Sequence, residues 1–371
     1  MIFFSPRRTG RHVDYLIVAI LAILVIFGLV MLGSASSHLG ETRYQDSYYY
    51  LKHQIMSGLI VGIVGFFLGL IINYTLYRKI ALPALLISIA LLALVFTPLG
   101  VDANNATRWV KLGLITFQPA EILKITLIIY LASWLANSKS ERQRSITKGF
   151  IPLLIVLGVV GGMLIKQPAT SIVVVLLGTG MAMYFTSGAK MTHVLSIIGI
   201  GVGAIALVIA LGGGYRLNRI KAFLNPEQNA QGSAFHINQA LIAVGSGQMY
   251  GVGYGESTTK LQYLPEPMGD SIFAIIAEEF GFVGAITLVG LFLTLVIRVF
   301  ILAWRAPSRF ASLLLIGFAT LIAVQSFIHI GAISGIIPLT GMPLPFISYG
   351  GTALAVFMTI GGIIVNISKH A

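Results

Sequence analysis

The run YLIVAILAILVIFGLVML, Tyr15–Leu32, carries no charged residue. A helix of that length rises about 27 Å at about 1.5 Å per residue. The hydrocarbon core of a bilayer is about 30 Å thick, so this one stretch matches it. The run is too long for the apolar region of a cleavable signal, about 7–15 residues, and no small-residue cleavage site follows it. It reads as a first membrane span.

Similar runs recur along the 371 residues, at roughly 53–72, 79–97, 119–136, 150–165, 170–187, 191–211, 272–297, 310–334 and 345–367. Composition agrees: 57% of residues are hydrophobic, 10% are charged, and the mean hydropathy is +0.92. A soluble domain carries about 25% charged residues, so this chain has too few to cover a water-facing surface. The short alternating segments of a membrane β-barrel are absent. The expectation is an all-α integral membrane protein of about ten spans, one polytopic domain over residues 1–371. Cysteine is absent, which rules out disulfides and thiolate metal sites.

The net charge of +12 invites a nucleic-acid reading, but its distribution follows the spans. With the N-terminus cytoplasmic, fourteen Lys and Arg fall on inner segments and nine on outer ones, four of these in one long loop. Short loops rich in Lys and Arg stay inside. The expectation is therefore both termini inside, basic residues facing anionic headgroups, and no nucleic-acid partner. The longest outer segment, about 212–270 between spans seven and eight, is poor in charge and rich in glycine. It is expected to fold onto the membrane surface, with a short amphipathic helix near Phe235–Val244. Long ordered loops are usually functional.

Charged residues in spans are costly and mark function. Glu121 and Lys124 share one helix face, either as a structural ion pair or as the lining of a polar cavity. Asp270, Glu278 and Glu279 bracket the start of span eight. Asp270 suits either a first-turn acid favoured by the helix dipole or a catalytic carboxylate. The seven histidines show no metal-ligand spacing, and His329 reads as a helix-packing residue. Gly251-x-Gly253-x-Gly255 lacks the strand and helix of a dinucleotide fold, so the phosphate-loop reading is discarded.

The remaining segments are specific. Leu264-Pro265-Glu266-Pro267-Met268-Gly269-Asp270, with Ala277-Glu278-Glu279-Phe280-Gly281 after it, resembles the FtsW/RodA/SpoVE group, the shape, elongation, division and sporulation (SEDS) family. So do Pro343–Thr352, Phe117–Lys124, Arg108-Trp109 and Arg219–Pro226, in order along essentially the whole chain. The LPEP stretch is more similar to FtsW and SpoVE than to RodA.

The resemblance implies a peptidoglycan glycosyltransferase that polymerises lipid II on the outer face of the bacterial cytoplasmic membrane beside a class B penicillin-binding protein. It implies Asp270 as the catalytic residue. For the pyrophosphate the outer cations are Arg108 first, then Lys111, Arg216, Arg219 and Lys260, with Glu266 and Ser348 as further substrate contacts. Mg²⁺ or another divalent ion is expected only as a bridge between pyrophosphate and carboxylate, with Asp270 as its protein contact; no organic cofactor is implied. A lipid II flippase and a non-catalytic scaffold are the rival readings. The chain departs from the family pattern at Gln167-Pro168-Ala169-Thr170-Ser171, which is shorter and lacks an acid, and at Ser271, Ala240 and His329.

Overall fold

The computed structural model describes residues 12–103, 106–113, 115–137, 142–211, 214–224, 233–261 and 263–371. It is mostly helical. The helices are α1 (Tyr15–Tyr44), α2 (Tyr49–Ile71), α3 (Tyr74–Leu94), α4 (Pro119–Leu135), α5 (Ile146–Lys166), α6 (Thr170–Thr186), α7 (Met191–Leu211), α8 (Gly214–Leu224), α9 (Ser233–Ser246), α10 (Ile272–Trp304), α11 (Arg309–Ile333) and α12 (Gly351–Ser368). Each expected span has its helix. Among the described residues seven of them, α1, α2, α3, α5, α10, α11 and α12, are long and apolar enough to cross a membrane. Helix α6 is shorter, and α4 is a 17-residue helix carrying Glu121 and Lys124. The amphipathic helix expected near Phe235–Val244 is α9.

Three features depart from the expected elements and their bounds. A small antiparallel sheet follows α3, with β1 (Gly100–Ala103), β2 (Ala106–Leu112) and β3 (Ile115–Phe117) in the order β1-β2-β3. Helix α1 runs on to Tyr44, through the polar Ser34–Ser37 stretch expected to be loop. The last helix starts at Gly351 rather than near 345. Residues 338–345 before it form no regular structure.

The core centres on α11, whose buried face runs from Phe310 to Ile333. Lys124 on α4 pairs with Glu121 at 2.6 Å and donates to Gln325 Oε1 of α11 at 2.9 Å, with the pair almost wholly buried. This favours the structural reading of that pair, because the ammonium is spent inside the bundle. His329 donates from Nδ1 to Met342 O at 2.6 Å, a packing role as expected. Helices α2 and α12 meet at backbone distance: a β-carbon on Gly69 would stand 2.8 Å from Thr359 O and 2.9 Å from Ile363 N. Small residues permit such approach where lipid supplies no hydrophobic drive.

Helix α10 is broken. Gly281 has φ +66°, which separates Ile272–Phe280 from the longer piece that follows. A helix end inside a membrane protein leaves unpaired amides and carbonyls. Here residues 248–253 supply both partners. Val252 N and Gly253 N donate to the carbonyls of Glu278 and Glu279 at 3.0 and 3.1 Å. Phe282 N and Val283 N donate to the carbonyls of Gln248 and Met249 at 2.8 and 3.1 Å. A β-carbon on Gly251 would collide with the Glu279 backbone. The glycine-rich stretch thus seals a helix break.

Candidate active site

Asp270 sits two residues before α10, where four segments converge. Its own segment turns tightly: Gly269 N and Ser271 N both donate to Glu266 O, at 3.1 and 3.2 Å. Glu266 occupies the left-handed region at φ +46°, a conformation non-glycine residues hold only when their surroundings impose it. The 340s loop closes over this turn. Ser348 Oγ donates to Gly269 O at 2.8 Å, and Tyr349 N donates to Met268 O at 2.9 Å.

That loop is itself gripped at successive carbonyls by different helices. Arg219 of α8 donates to Leu339 O at 3.1 Å, Ser171 of α6 to Thr340 O at 2.6 Å, and Gln325 of α11 to Pro343 O at 2.8 Å. Between them Gly341, at φ +65°, faces Asp270. A β-carbon at Gly341 would lie 3.1 Å from Asp270 Oδ2 and 3.9 Å from Arg219 Nη2, so the carboxylate and this guanidinium share one small space.

Arg108 enters from the sheet. The β1–β2 register pairs Val101 with Trp109 and then Asp102 with Thr107, which leaves Arg108 as the extra residue of a bulge. Bulges beside active sites re-aim a side chain. Arg108 donates from Nε to Gln167 O at 3.2 Å and from Nη2 to Pro168 O at 2.7 Å. The atypical Gln167–Ser171 turn is therefore tied at one end to Arg108 and at the other to Thr340.

Burial pushes the Asp270 carboxyl up to about 6, and the negative charge of Glu266 adds to the rise. The positive charges of Arg219 and then Arg108 hold it down in part. A carboxylate of this kind, within the influence of two arginine charges, can accept a proton while cations stabilise nearby anionic oxygens.

The other expected contacts divide. Glu266 is exposed beside Asp270, and Lys111 is exposed on β2. Ser348 is buried and spends its hydroxyl on Leu344 N and Gly269 O, which makes it a support of the turn. Arg216 falls in α8, with its side chain outside those described. Lys260 is corrected: its ammonium is 5% exposed and donates to Glu279 Oε1 at 2.9 Å, Ser34 Oγ at 2.8 Å and Gly255 O at 2.6 Å. An ammonium has three protons, so none remains for a phosphate. Glu278, likewise buried, accepts from Ser257 Oγ at 2.5 Å and Thr258 N at 3.1 Å.

His236 was not singled out in the sequence, since one histidine on an amphipathic helix gives no signal. Its Nε2 lies 2.6 Å from Ser271 Oγ, next to Asp270. Burial first, then the positive charge of Arg219, push this imidazole down to about 4.

The family model for FtsW, RodA and SpoVE, described as "Cell cycle protein", matches residues 14–371. The chain belongs to the FtsW/RodA/SpoVE family. Among relatives, the protein named "Probable peptidoglycan glycosyltransferase FtsW" of Trichlorobacter lovleyi is 38% identical over 367 residues, 98% of this chain and 95% of that one. "Stage V sporulation protein E" of Bacillus subtilis is 36% identical over 364 residues, 96% of this chain and 97% of that one. A solved chain described under "Structural coordination of polymerization and crosslinking by a peptidoglycan synthase complex" superposes with a TM-score of 0.80 at 26% identity, covering 96% of this chain and 98% of its own. The rod shape determining protein RodA of Thermus thermophilus superposes with a TM-score of 0.69 at 27% identity, covering 96% of each chain. This FtsW/RodA/SpoVE member is a multi-pass membrane protein.

Proposed function

We propose that this chain is a peptidoglycan glycosyltransferase that polymerises lipid II, with Asp270 as its general base. The observation that carries the reading is one half-buried carboxylate with a value near 6 that shares its space with Arg219, feels the positive charge of Arg108 and lies two residues ahead of a broken helix. The names of the FtsW relatives support the same activity.

The reaction follows from those groups. The 4-hydroxyl of the acceptor's GlcNAc attacks the anomeric carbon of the donor's MurNAc. Asp270 takes the hydroxyl proton as the new C–O bond forms. The bond to undecaprenyl pyrophosphate breaks with inversion, and the leaving group carries away the electron pair. Because pyrophosphate leaves without protonation, one carboxylate suffices, unlike the paired acids of glycoside hydrolases. Arg219 and Arg108 stabilise the growing negative charge. Among the described residues no three His, Cys, Asp or Glu side chains cluster to hold a metal ion. A divalent ion such as Mg²⁺ would draw most of its oxygens from the pyrophosphate, with Asp270 as the protein contact.

The setting belongs to the same proposal. The chain is one polytopic domain crossing the bacterial cytoplasmic membrane ten times, with both termini inside and residues 212–270 outside. The Lys and Arg distribution supports this. So does the clasp at the bundle's other end, where Arg298 donates to Asp14 at 2.7 Å and Asp14 N donates to Ser368 at 3.1 Å. A class B penicillin-binding protein is the expected partner, since the similar solved chain belongs to a complex that couples polymerization to crosslinking.

The test is polymerisation of purified lipid II by the full-length protein with its partner. Wild type should yield glycan polymer, and Asp270→Asn should yield none while still folding and binding its partner. Polymer from Asp270→Asn would overturn the general-base role. Transbilayer movement of lipid II without polymer would point to the flippase reading instead.

A further inference from the structure

We infer that His236 is a positioning residue for Asp270, acting through a hydrogen bond from its Nε2–H to the hydroxyl of Ser271. The inference rests on the general-base reading of Asp270 and adds how that base is held.

Proton counting fixes the direction of the bond. Ser271 Oγ lies 2.8 Å from Pro265 O, and a carbonyl oxygen only accepts, so the one hydroxyl proton goes there. At 2.6 Å from His236 Nε2 the same oxygen must then accept, which places a proton on Nε2. The side chain of Ser271 is consequently held from two sides, by Pro265 within its own turn and by His236 from α9. Its amide donates to Glu266 O at 3.2 Å, and Ser271 itself is fully buried.

Asp270 is thus pinned through both chain neighbours. On the N-terminal side Ser348 holds Gly269 O, and on the C-terminal side His236 holds Ser271 Oγ. The two clamps come from different parts of the chain. The first belongs to the 340s loop and the second to the helix of the long loop. With both in place the carboxylate faces Gly341 and Arg219. Removing the second leaves the Ser271 side chain held by Pro265 O alone, so this end of the turn loses its tie to α9. The positive charge of Arg219 acts on both His236 and Asp270. The neutral imidazole therefore serves as a hydrogen-bond donor that adds no further cation to the site.

A misplacement of about 1 Å at a reacting group costs about a hundredfold in rate. The experiment compares His236→Ala, His236→Gln, Ser271→Ala and the His236→Ala/Ser271→Ala double variant in full-length protein, with wild type and Asp270→Asn as references. Glutamine keeps an N–H donor at similar reach. Two readouts are taken. One is lipid II polymerisation. The other is the rate at which a carbodiimide and an amine label the Asp270 carboxyl, read by mass spectrometry, which needs no turnover. In polymerisation, His236→Ala and Ser271→Ala should each lower kcat at least tenfold with KM within twofold. The double variant should be no worse than either single one, and His236→Gln should recover at least a third of wild-type kcat. In labelling, both alanine variants should change the Asp270 rate at least threefold, with His236→Gln within twofold of wild type.

Unchanged labelling in both alanine variants overturns the inference, whether or not the protein polymerises lipid II. So does a glutamine variant as impaired as alanine, or additive losses in the double variant. Failure of the general-base reading looks different, because polymer then survives in Asp270→Asn while labelling still reports on the clamp.

Discussion

Gly341 stands so near Asp270 that a β-carbon on it would come within 3.1 Å of the carboxylate oxygen Oδ2, at a backbone φ of +65° that side chains avoid. Gly341→Ala should therefore act twice. The left-handed conformation costs about 1–2 kcal/mol for an L-residue. The added methyl also crowds the carboxylate away from Arg219. We expect a modestly lower melting temperature and a drop in kcat larger than the stability loss explains. Wild-type kcat in Gly341→Ala would show that the carboxylate does not work in this space.

The pH dependence of polymerisation should follow Asp270. Its carboxyl sits near 6, so below that value the base is protonated and the initial rate should fall about tenfold per pH unit. Glu266 raises this value, so Glu266→Gln should move the acid limb to lower pH. Arg219 lowers it, so Arg219→Gln should move the limb to higher pH. A rate profile flat from pH 5 to 8 would contradict the assignment.

The same shift has a stability consequence of definite sign. A buried carboxyl whose value rises from 3.8 to about 6 on folding disfavours its own ionisation, so it costs folding free energy once pH exceeds the unfolded value. Asp270→Asn should then raise the melting temperature at pH 7.5. At pH 4, where the folded protein already holds Asp270 protonated, the gain should largely vanish.

Lys260→Met should cripple folding rather than substrate recognition. It leaves Glu279 charged and buried, a loss of about 3–5 kcal/mol for a broken buried pair. Pairing it with Glu279→Gln should restore much of the melting temperature. If Lys260→Met folds normally but raises KM for lipid II, the lysine is a phosphate contact after all.

Arg108→Ala should lower polymerisation about a hundredfold, the scale for loss of one charge-stabilising donor. Arg108→Lys keeps the charge but not the two-pronged hold on the carbonyls of Gln167 and Pro168. It should fall between wild type and alanine, and initial rates at saturating lipid II will order the three.

Much of the scaffold was legible because its signal is cumulative. Eighteen uncharged residues at Tyr15–Leu32 leave few alternatives to a span, and α9 declared itself by periodicity. Asp270 was legible from its motif together with its place at the end of a long loop. Arg108 was expected at the site from charge, although the bulge that aims it depends on a cross-strand register no local pattern encodes. Lys260 misled for the opposite reason. An isolated lysine on an outer segment looks like a free cation, and only the fold reveals Glu279 and Ser34 around it. His236 and Gly341 were invisible because their roles lie in contacts 35 and 71 residues from their partner positions in the chain, Ser271 and Asp270.

The break at Gly281 has a bearing on how this molecule is made. The peptide groups that seal it lie at Gln248–Gly253, in chain that emerges before either half of α10 exists. A helix interrupted in this way cannot enter lipid alone, because its bare amides and carbonyls would have no partner there. The earlier segment must wait at the membrane and receive the helix as it arrives. Assembly and catalysis thus share one element: the helix whose break this segment closes is the one that begins two residues after Asp270.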